Sequence, residues 1–403
     1  MRLAGPKGQF LLSAIASLWD RLGHSRRRRP RVLVIDDWLP DPRIGAGAPR
    51  ALAFMRALLA AGARLTLLPT LAEPENAAAA RRLLPGATVA RGYGRDGMGR
   101  FLSERHDRFD LIIVSRPHNM EAFRASAAGM RAFATASIVY DAEALFATRE
   151  ALRRDVLGEA SADGQESLET ESEIALADGT RMILAVNERT AAAFKAAGHA
   201  NVRILGYAAK AQPTRTPFDD REGFLFVGPT YADGTPNSDS VAWFSDHVMP
   251  EIRRAMGQPV RLVLAGIQNA PQVAARVNGS LQSVGVLSDL TAAYSAARVF
   301  VAPTRFAAGI PIKVYDAAAH GVPVVLTPVL AEQIGWRHEQ EVLIAESPQA
   351  FATQCLRLHR DEDLWMHVRA RALARIEREC DPPRFNRMVA EVLAQMDHRG
   401  QSH

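Results

Sequence analysis

The stretch Val301–Pro328, with the sequence VAPTRFAAGIPIKVYDAAAHGVPVVLTP, constrains the fold of this chain more than any other. The apolar run that leads into it, Arg298–Pro303, is short enough for a buried parallel strand. Gly309 lies in a loop, where it gives access to backbone angles that other residues avoid. Pro311 suits the first position of a helix, because its missing N–H would have no partner there. With a second apolar run at Val322–Leu326, the stretch predicts a strand, a loop, a helix and a strand in that order.

Two charged side chains follow the predicted helix start. Lys313 lies in the first turn, and Asp316 follows three residues later on the same helix face. Free backbone N–H groups and the positive end of the helix dipole make such a start a site for anions. A cation beside a carboxylate suits a ligand with phosphates at one end and sugar hydroxyls at the other. A surface helix with an ion pair between these two residues would show the same pattern.

The rest of the chain alternates apolar strand patterns with helical patterns. In the first half, buried strands are predicted at Val32–Asp36, Leu65–Pro69, Leu111–Ser115, Ser137–Asp141 and Met182–Val186. A second series starts at Gly223. This alternation predicts the α/β fold class, with two doubly wound, Rossmann-like domains. Ligands bind past the carboxyl ends of the strands in such sheets, so the residues that follow each strand are the candidates for a site.

Composition and charge exclude several classes of function. The chain has 403 residues, of which 48% are hydrophobic and 23% charged, and this suits two soluble domains with full cores. The net charge of +5 is mild, and no basic stripe with interleaved aromatics predicts a nucleic-acid partner. Cys355 and Cys380 have neither metal-ligand spacing nor the number needed for a disulfide framework, which favours a cytoplasmic location.

The N-terminal segment Phe10–Arg29 has a different character. Apolar residues including Trp19 fill one helical face of its first part, and four arginines, Arg26–Arg29, follow. The segment is too short and too interrupted to span a bilayer. An amphipathic helix of this kind predicts binding to an anionic membrane surface, on the inner face of the membrane. A locally docked or disordered extension, or a misassigned start codon, would also explain it.

The stretch Val301–Pro328 resembles the donor-binding motif of retaining GT-B glycosyltransferases of group 1, also called family 4. The motif runs Arg-x-Gly-Ala-Gly-x-x-x-Lys-x-x-Glu-Ala in a subset of that family, and its positions are held here by Arg305, Ala307, Ala308, Gly309, Lys313, Asp316 and Ala317. The resemblance implies that Asp316 binds the nucleotide ribose and that Lys313 or Arg305 meets the phosphates. Two positions depart from the pattern, because Asp316 replaces Glu and Ala308 stands where a first acidic residue is usual.

Two glycine-containing segments resemble further donor-binding elements of the same family. After the first strand, the loop with Gly45 and Gly47 resembles the segment that faces the donor across the cleft. In the second half, Gly228 and Asn237 match a Gly-x-x-x-x-x-Pro-Asn segment, although Asn237 would also serve as a helix N-cap. The Arg and Lys that usually bind the diphosphate near this glycine are absent. Lys313, Arg305 and backbone amides would therefore hold the phosphates.

Two residues are candidates for chemistry on the acceptor side, with Lys313 as the third predicted catalytic residue. His118 follows a strand and could act on an acceptor hydroxyl, or it could be a surface loop residue. Asp141 lies in a segment that resembles the family's His-Asp acceptor motif, with Tyr140 in place of the His. That replacement removes a group that titrates near neutrality, so the role would fall to Asp141.

The resemblance also implies the organisation of the domains. The expected order is an extension at 1–30, an acceptor domain at 31–207, a linker at 208–222, a donor domain at 223–380 and a helix at 381–403 that returns toward the first domain. The two domains would face each other across a cleft, as in the GT-B fold.

Two acidic segments are given structural interpretations. Asp155–Glu173 is acidic and polar, which predicts a mobile, exposed insertion. Asp361-Glu362-Asp363 mimics a metal motif but precedes a helical pattern, where acidic residues favour the dipole. No metal site and no cofactor are therefore expected.

The expected function is transfer of a sugar from a nucleotide-diphosphate donor to a hydroxyl of a glycan or lipid-linked acceptor. The resemblance implies a retaining, metal-independent enzyme of cell-surface polysaccharide synthesis, cytoplasmic or peripheral on the membrane. A catalytically inactive binding or scaffolding protein is the alternative that Ala308 and the missing diphosphate-binding pair favour. A GT-B sugar-nucleotide epimerase would need a second carboxylate and a His over the sugar, and the sequence shows neither.

Overall fold

The structure is a computed structural model that describes residues 29–42, 45, 47–71, 77–105, 108–127 and 136–396. The predicted membrane-binding segment Phe10–Arg29 lies outside these residues except for its last arginine. Among the helices of the described residues, none is long and apolar enough to cross a membrane.

The first half is built on a parallel sheet of seven strands. The strands are β1 (Arg31–Asp36), β2 (Arg64–Pro69), β3 (Thr88–Val89), β4 (Leu111–Ser115), β5 (Ser137–Asp141), β6 (Met182–Ala185) and β7 (Val202–Ile204). Their order in the sheet is β3-β2-β1-β4-β5-β6-β7. Strands β4 and β6 are buried along their whole length, as expected for strands covered on both faces.

Seven helices of the described residues surround this sheet. They are α1 (Ala48–Ala60), α2 (Ala77–Leu83), α3 (Met98–Arg105), α4 (Pro117–Ala127), α5 (Phe146–Leu157), α6 (Gln165–Ala175) and α7 (Glu188–Ala196). Strand order reverses between β1 and β4, so α1 and α4 begin on either side of the switch point where ligands bind in doubly wound sheets. The fold therefore directs attention to the loops after β1 and β4.

Most of the segment Asp155–Glu173 is exposed, as predicted, but much of it is helical. It belongs to helices α5 and α6, which pack against each other. Arg154 bridges to Glu169 at 2.7 Å, and Glu173 accepts hydrogen bonds from the backbone N–H groups of Phe146 and Ala147. These acidic residues therefore hold one helix on the other and cap the start of α5.

The second half is a parallel sheet of six strands. They are β8 (Glu222–Val227), β9 (Leu262–Ala265), β10 (Leu281–Gly285), β11 (Ala297–Ala302), β12 (Val324–Leu326) and β13 (Leu343–Ile344), in the order β10-β9-β8-β11-β12-β13. The stretch Val301–Pro328 forms the end of β11, a loop, a helix and β12, as predicted. The two parallel sheets confirm the predicted α/β fold class.

The helices of the second half include one with a π-helical turn. They are α8 (Pro236–Trp243), continued by the π-helical turn Phe244–Val248, then α9 (Met249–Met256), α10 (Pro271–Ala274), α11 (Thr291–Ala296), α12 (Ile312–Ala319), α13 (Pro328–Ile334), α14 (Pro348–Arg360), α15 (Glu362–Glu379) and α16 (Pro382–Met396). Asp361 is the N-cap of α15, and its side chain accepts from the N–H of Leu364 at 2.9 Å. The acidic run at 361–363 opens a helix, as its structural interpretation predicted.

The last helix packs on the first sheet and not on the second. Phe385, Val389 and Leu393 of α16 are buried in the same cluster as Val32 of β1 and Leu52 of α1. The first strand and the last helix of the described residues therefore share one hydrophobic core. The chain passes between the halves at 205–213 and again at 380–382.

The connection between the halves is tied to the second half for most of its length. The N–H of Gln212 donates to Ala319 O, and the N–H of Ala209 donates to Cys380 O. Arg221, fully buried, donates from Nε to Thr216 O and from Nη2 to Thr214 Oγ1. Burial lowers the pKa of Arg221 to about 10, and its guanidinium lies over the ring of Trp365 at 5.1 Å.

Candidate active site

A cleft of about 570 Å³ lies between the two halves. The first half lines it with the loop after β1 and with Arg149, and the second half with the ends of β8 to β11 and the start of α12. The lining includes Gly45, Gly47, Arg149, Gly228, Asn237, Ala308, Lys313, Asp316 and His320. The structure thus brings the predicted glycines 45, 47 and 228 together with Asn237, Lys313 and Asp316.

Lys313 lies in the first turn of α12, whose N-cap is Pro311. Its Nζ donates to Asn237 Oδ1 at 2.6 Å and to Thr304 Oγ1 at 3.2 Å, and it lies 4.5 Å from the centre of the Phe226 ring. Burial lowers the pKa of Lys313 to about 7. These partners are neutral oxygens and a ring face, so the ammonium is held in place without a counter-charge from them.

Asp316, one turn further along α12, is held by a residue outside the sequence motif. The Tyr207 hydroxyl donates to Asp316 Oδ1 at 2.9 Å. Burial raises the pKa of Asp316 to about 6, and the hydrogen bond from Tyr207 opposes that rise. Lys313 and Asp316, both within the described residues, form no salt bridge with each other, so the alternative of a surface ion pair is wrong.

An aromatic corner beside Asp316 was missed at the sequence level. The His320 ring stacks on Tyr294 with centres 4.3 Å apart. Its Nδ1 lies 2.8 Å from Asp316 O and its Nε2 lies 3.4 Å from Gln212 Nε2. Nδ1 therefore carries a proton and donates to the carbonyl oxygen, which leaves Nε2 as an acceptor when the ring is neutral. An i, i+4 pair on α12 was the available signal, since it places both residues on one helix face.

Asn237 contributes to the cleft from the first turn of α8 and is not its N-cap. The N-cap is Thr235, with Pro236 in the first turn and a reciprocal capping box to Ser238. The Asn237 side chain instead donates from Nδ2 to Pro229 O at 2.9 Å and accepts from Lys313 through Oδ1. It therefore fixes the loop after Gly228 to the cation of the cleft.

Arg305 is not brought into the cleft. Its Nε and Nη2 donate to the two carboxylate oxygens of Asp239, at 3.0 and 2.5 Å. This bidentate ion pair uses the two guanidinium N–H groups that would otherwise bind a phosphate. The phosphate contact expected of Arg305 stays a prediction, and it would require this ion pair to open. Gly309 lies at the seam between the halves, where its carbonyl oxygen accepts from Asn187 Nδ2 at 3.0 Å.

Asp141 is buried away from the cleft. Its carboxylate accepts from Arg50 Nη1 and Nη2 at 2.8 and 2.9 Å, and both side chains are at most 3% exposed. Arg50 also donates to Leu205 O. The pair ties α1 to the ends of β5 and β7, and the catalytic role predicted for Asp141 stays a prediction.

His118 occupies a different place at the same sheet edge. Its Nε2 lies 2.6 Å from Asp37 Oδ1, and its ring meets Phe146 edge-on. The side chain is one-third exposed but does not line the cleft described above. The structure thus separates His118 from Lys313, although both were predicted to act in catalysis.

A charged cluster at this edge was also missed at the sequence level. Arg116, with a positive φ of 77°, reaches Asp36, Asp37 and Glu143 at 3.1, 3.2 and 3.3 Å. Burial raises the pKa of Asp36 to about 7, against the effect of Arg116. The signal was present, because charged residues directly follow β1, β4 and β5. No cluster of three His, Cys, Asp or Glu residues suited to a metal ion occurs within the described part of the chain.

Two parallel, doubly wound sheets with a cleft between them define the GT-B class of fold. Residues 221–361 match the family described as Glycosyl transferases group 1. The predicted resemblance to that group is therefore confirmed, and the match lies in the second half of the chain. No curated protein matches the chain at the level of sequence.

Solved structures agree with this fold. Sucrose-phosphate synthase from Thermosynechococcus elongatus superposes with a TM-score of 0.70 at 14% identity, covering 91% of this chain and 99% of that one. Anabaena HepE in complex with UDP and glucose gives 0.67 at 14% identity, over 91% and 100%. S. aureus TarM gives 0.57 at 10% identity, over 75% of this chain and 58% of TarM. At such identities the likeness concerns the fold alone.

Proposed function

We propose that this protein transfers a sugar from a nucleotide-diphosphate donor to a hydroxyl of a glycan or lipid-linked acceptor, with retention of configuration. The observation that carries the proposal is Lys313, a cleft-lining ammonium whose hydrogen-bond partners are neutral oxygens. A diphosphate would supply the missing counter-charge at the start of α12, where backbone N–H groups add to the attraction. Asp316, beside it, would accept from the ribose hydroxyls.

In this proposal the chain acts mainly by stabilising the leaving group. As the acceptor hydroxyl attacks the anomeric carbon, charge builds on the departing diphosphate. Lys313 and the α12 dipole are already oriented toward that charge, and such preorganised electrostatics is a major source of catalysis. Gly45 and Gly47 would cover the donor from the first half and help to exclude water. The positive charge at Lys313 supports a metal-independent reaction.

The base of the donor is proposed to be uracil. HepE was solved with UDP and with UDP-glucose, and TarM was solved with UDP. The acceptor and the biological setting follow from the family resemblance, which favours cell-surface polysaccharide synthesis on the cytoplasmic side of a membrane. The predicted membrane surface segment, Phe10–Arg29, is part of this proposal and is testable by vesicle binding.

A binding or scaffolding protein is the second candidate, and two observations favour it. Ala308 lines the cleft where the family has a carboxylate, and Arg305 is already paired with Asp239. Such a protein would bind a nucleotide and fail to turn it over.

The first experiment is a melting-temperature series with UDP, GDP, ADP and CMP. A ligand at 100 times its dissociation constant stabilises the folded state by about 2.7 kcal/mol. We expect a shift with UDP that Lys313→Ala and Asp316→Ala abolish. Lys195→Ala, at an exposed position on α7, is the matched control and should keep the shift.

The outcomes separate the candidates. A folded protein that shifts with none of the four nucleotides contradicts the donor site. Nucleotide binding without transfer from UDP-sugars to a panel of glycan and lipid-linked acceptors would support the scaffolding protein. Transfer with retention, read from the anomeric proton coupling of the product, supports the proposal.

A further inference from the structure

The loop between β11 and α12, called the donor loop below, has an alanine and not an acidic residue where it lines the cleft. Ala308 lines the cleft, and Gly309 follows it. We propose that Glu143, from the first half, accepts hydrogen bonds from the hydroxyls of the transferred sugar in place of a carboxylate at position 308. This inference rests on the proposed function and adds a residue that recognises the sugar.

The backbone of Glu143 lies against the donor loop. Its carbonyl oxygen is 3.1 Å from the position that a Cβ on Gly309 would take. Gly309 has a φ of 89° and Glu143 a φ of 52°, so both residues at this contact have left-handed backbones. For a glutamate that conformation is strained, because its Cβ crowds the backbone carbonyl. A strained residue at the seam of two halves is typical of a functional position.

The side chain of Glu143 lies directly behind Gly47. Its Oε2 and Oε1 are 3.4 and 3.5 Å from the position that a Cβ on Gly47 would take. Gly47 itself lines the cleft. Since glycine has no side chain to cover it, the carboxylate is in reach of a ligand that lies on the Gly47 loop. The Glu143 side chain is 12% exposed.

Among the residues that the structure describes, one carboxylate oxygen of Glu143 has no hydrogen-bond partner. Oε2 pairs with Arg116 Nε at 3.3 Å, whereas Oε1 makes no hydrogen bond and lies 3.8 Å from Arg50 Nη1. Burial raises the pKa of the Glu143 carboxyl, and Arg116 opposes the rise. Leaving a buried oxygen unsatisfied is costly, and a sugar hydroxyl would satisfy Oε1 once the Gly47 loop shifts to uncover it.

A purely structural role is the competing explanation. Glu143 would then only hold Arg116 and the ends of β4 and β5, and its loss would lower stability or weaken every ligand equally. A sugar-contacting role predicts something different. The affinity for UDP alone would stay the same, and the extra affinity due to the sugar would fall.

The test compares dissociation constants by calorimetry for UDP, UDP-glucose, UDP-galactose and UDP-N-acetylglucosamine. For each UDP-sugar the quantity compared is the ratio of its dissociation constant to that of UDP. We expect Glu143→Gln to raise this ratio at least about tenfold for the preferred sugar, as for loss of a charged hydrogen bond, with UDP itself unchanged. Glu166→Gln, at an exposed position on α6, is the matched control and should leave the ratio as in the wild type.

A ratio that Glu143→Gln leaves unchanged for all three UDP-sugars overturns the inference, as does an equal loss for UDP and its sugars. Should the Gln variant be unstable, Glu143→Asp keeps the charge beside Arg116 but withdraws the carboxylate, and the same rise in the ratio is expected. If wild-type protein binds no nucleotide, the proposed function fails. If it binds UDP and only the ratio does not respond, the inference about Glu143 alone fails.

Discussion

Lys313 combines a position suited to phosphate with an environment that disfavours its charge. Burial lowers its pKa to about 7, from an ordinary value of 10.5. Because the folded-state pKa is the lower one, the ammonium costs stability at and below neutral pH, and that cost disappears as the pH rises toward 10.5. The proposed diphosphate would stabilise the protonated form and so reverse the preference.

This linkage predicts a pH-dependent affinity for UDP. Above pH 7 the free protein must take up a proton at Lys313 to bind the diphosphate, so the affinity should fall by up to tenfold per pH unit between pH 7 and 9. The terminal phosphate titrates near pH 6 and is already ionised in this range. Calorimetry in buffers of different ionisation enthalpy should show the proton uptake. A Lys313→Arg variant, which stays charged throughout this range, should lose the pH dependence, and its persistence there would contradict this origin.

Site residues whose position follows from a local sequence pattern could be predicted. Contacts between residues far apart in the sequence could not. Lys313 and Asp316 follow from one helix start, and the cleft contains both. The Arg305–Asp239 pair joins residues 66 positions apart, and Tyr207 reaches Asp316 across 109 positions. Such contacts depend on how the two sheets fold up, and no local spacing encodes them.

At the scale of elements, the ends of β8 and β9 meet through two glycines. Gly266 has a φ of 136°, and a Cβ there would lie 2.5 Å from Gly228 O. The loop after Gly228 carries the lining of the cleft, and Asn237 fixes it by its bond to Pro229 O. The close approach of these two loops therefore helps to set the shape of the cleft.

Gly266→Ala should disturb both stability and the site. A side chain at this φ is strained and would collide with a backbone oxygen, so we expect a loss of more than about 1 kcal/mol in the free energy of unfolding. Urea unfolding measures that loss. Gly279→Ala is the matched control, since a Cβ there meets no atom within 4 Å. Equal stability of the two variants would show that a side chain at position 266 is tolerated beside Gly228 O.

Element types were predicted better than element ends. Strands β8, β11 and β12 were predicted from apolar runs alone, because buried parallel strands show a continuous signal. The start of α8 was misplaced because Asn237 is a good N-cap residue by type, whereas Pro236 at the first position puts the cap at Thr235. The helices at Asp155–Glu173 were missed because exposed, charged helices have no apolar stripe to reveal them.

At the scale of the whole molecule, α16 joins the end of the chain to the first sheet. Leu393 is 3% exposed in a cluster with Phe385 and Val32. Leu393→Ala should lower the free energy of unfolding by about 2 to 5 kcal/mol, as for other buried leucines. Thermal or urea unfolding tests this, with Met366→Ala, half exposed on α15, as the control that should change little. A negligible loss at position 393 would mean that α16 is not a part of the first core.

The anchoring of the connection by Arg221 limits how the cleft can open. Gln212 and Thr214 are bound to the second half, and Ala209 is hydrogen-bonded to Cys380. The two crossings of the chain therefore lie side by side, and we expect them to act as one pivot. Tyr207 stands at this pivot, and its hydroxyl already holds Asp316. A swing about the pivot would therefore move the nucleoside end of the cleft little and the sugar end most. The nucleoside would be captured first, and the sugar would be enclosed only on closure, when Gly47 and Glu143 reach it.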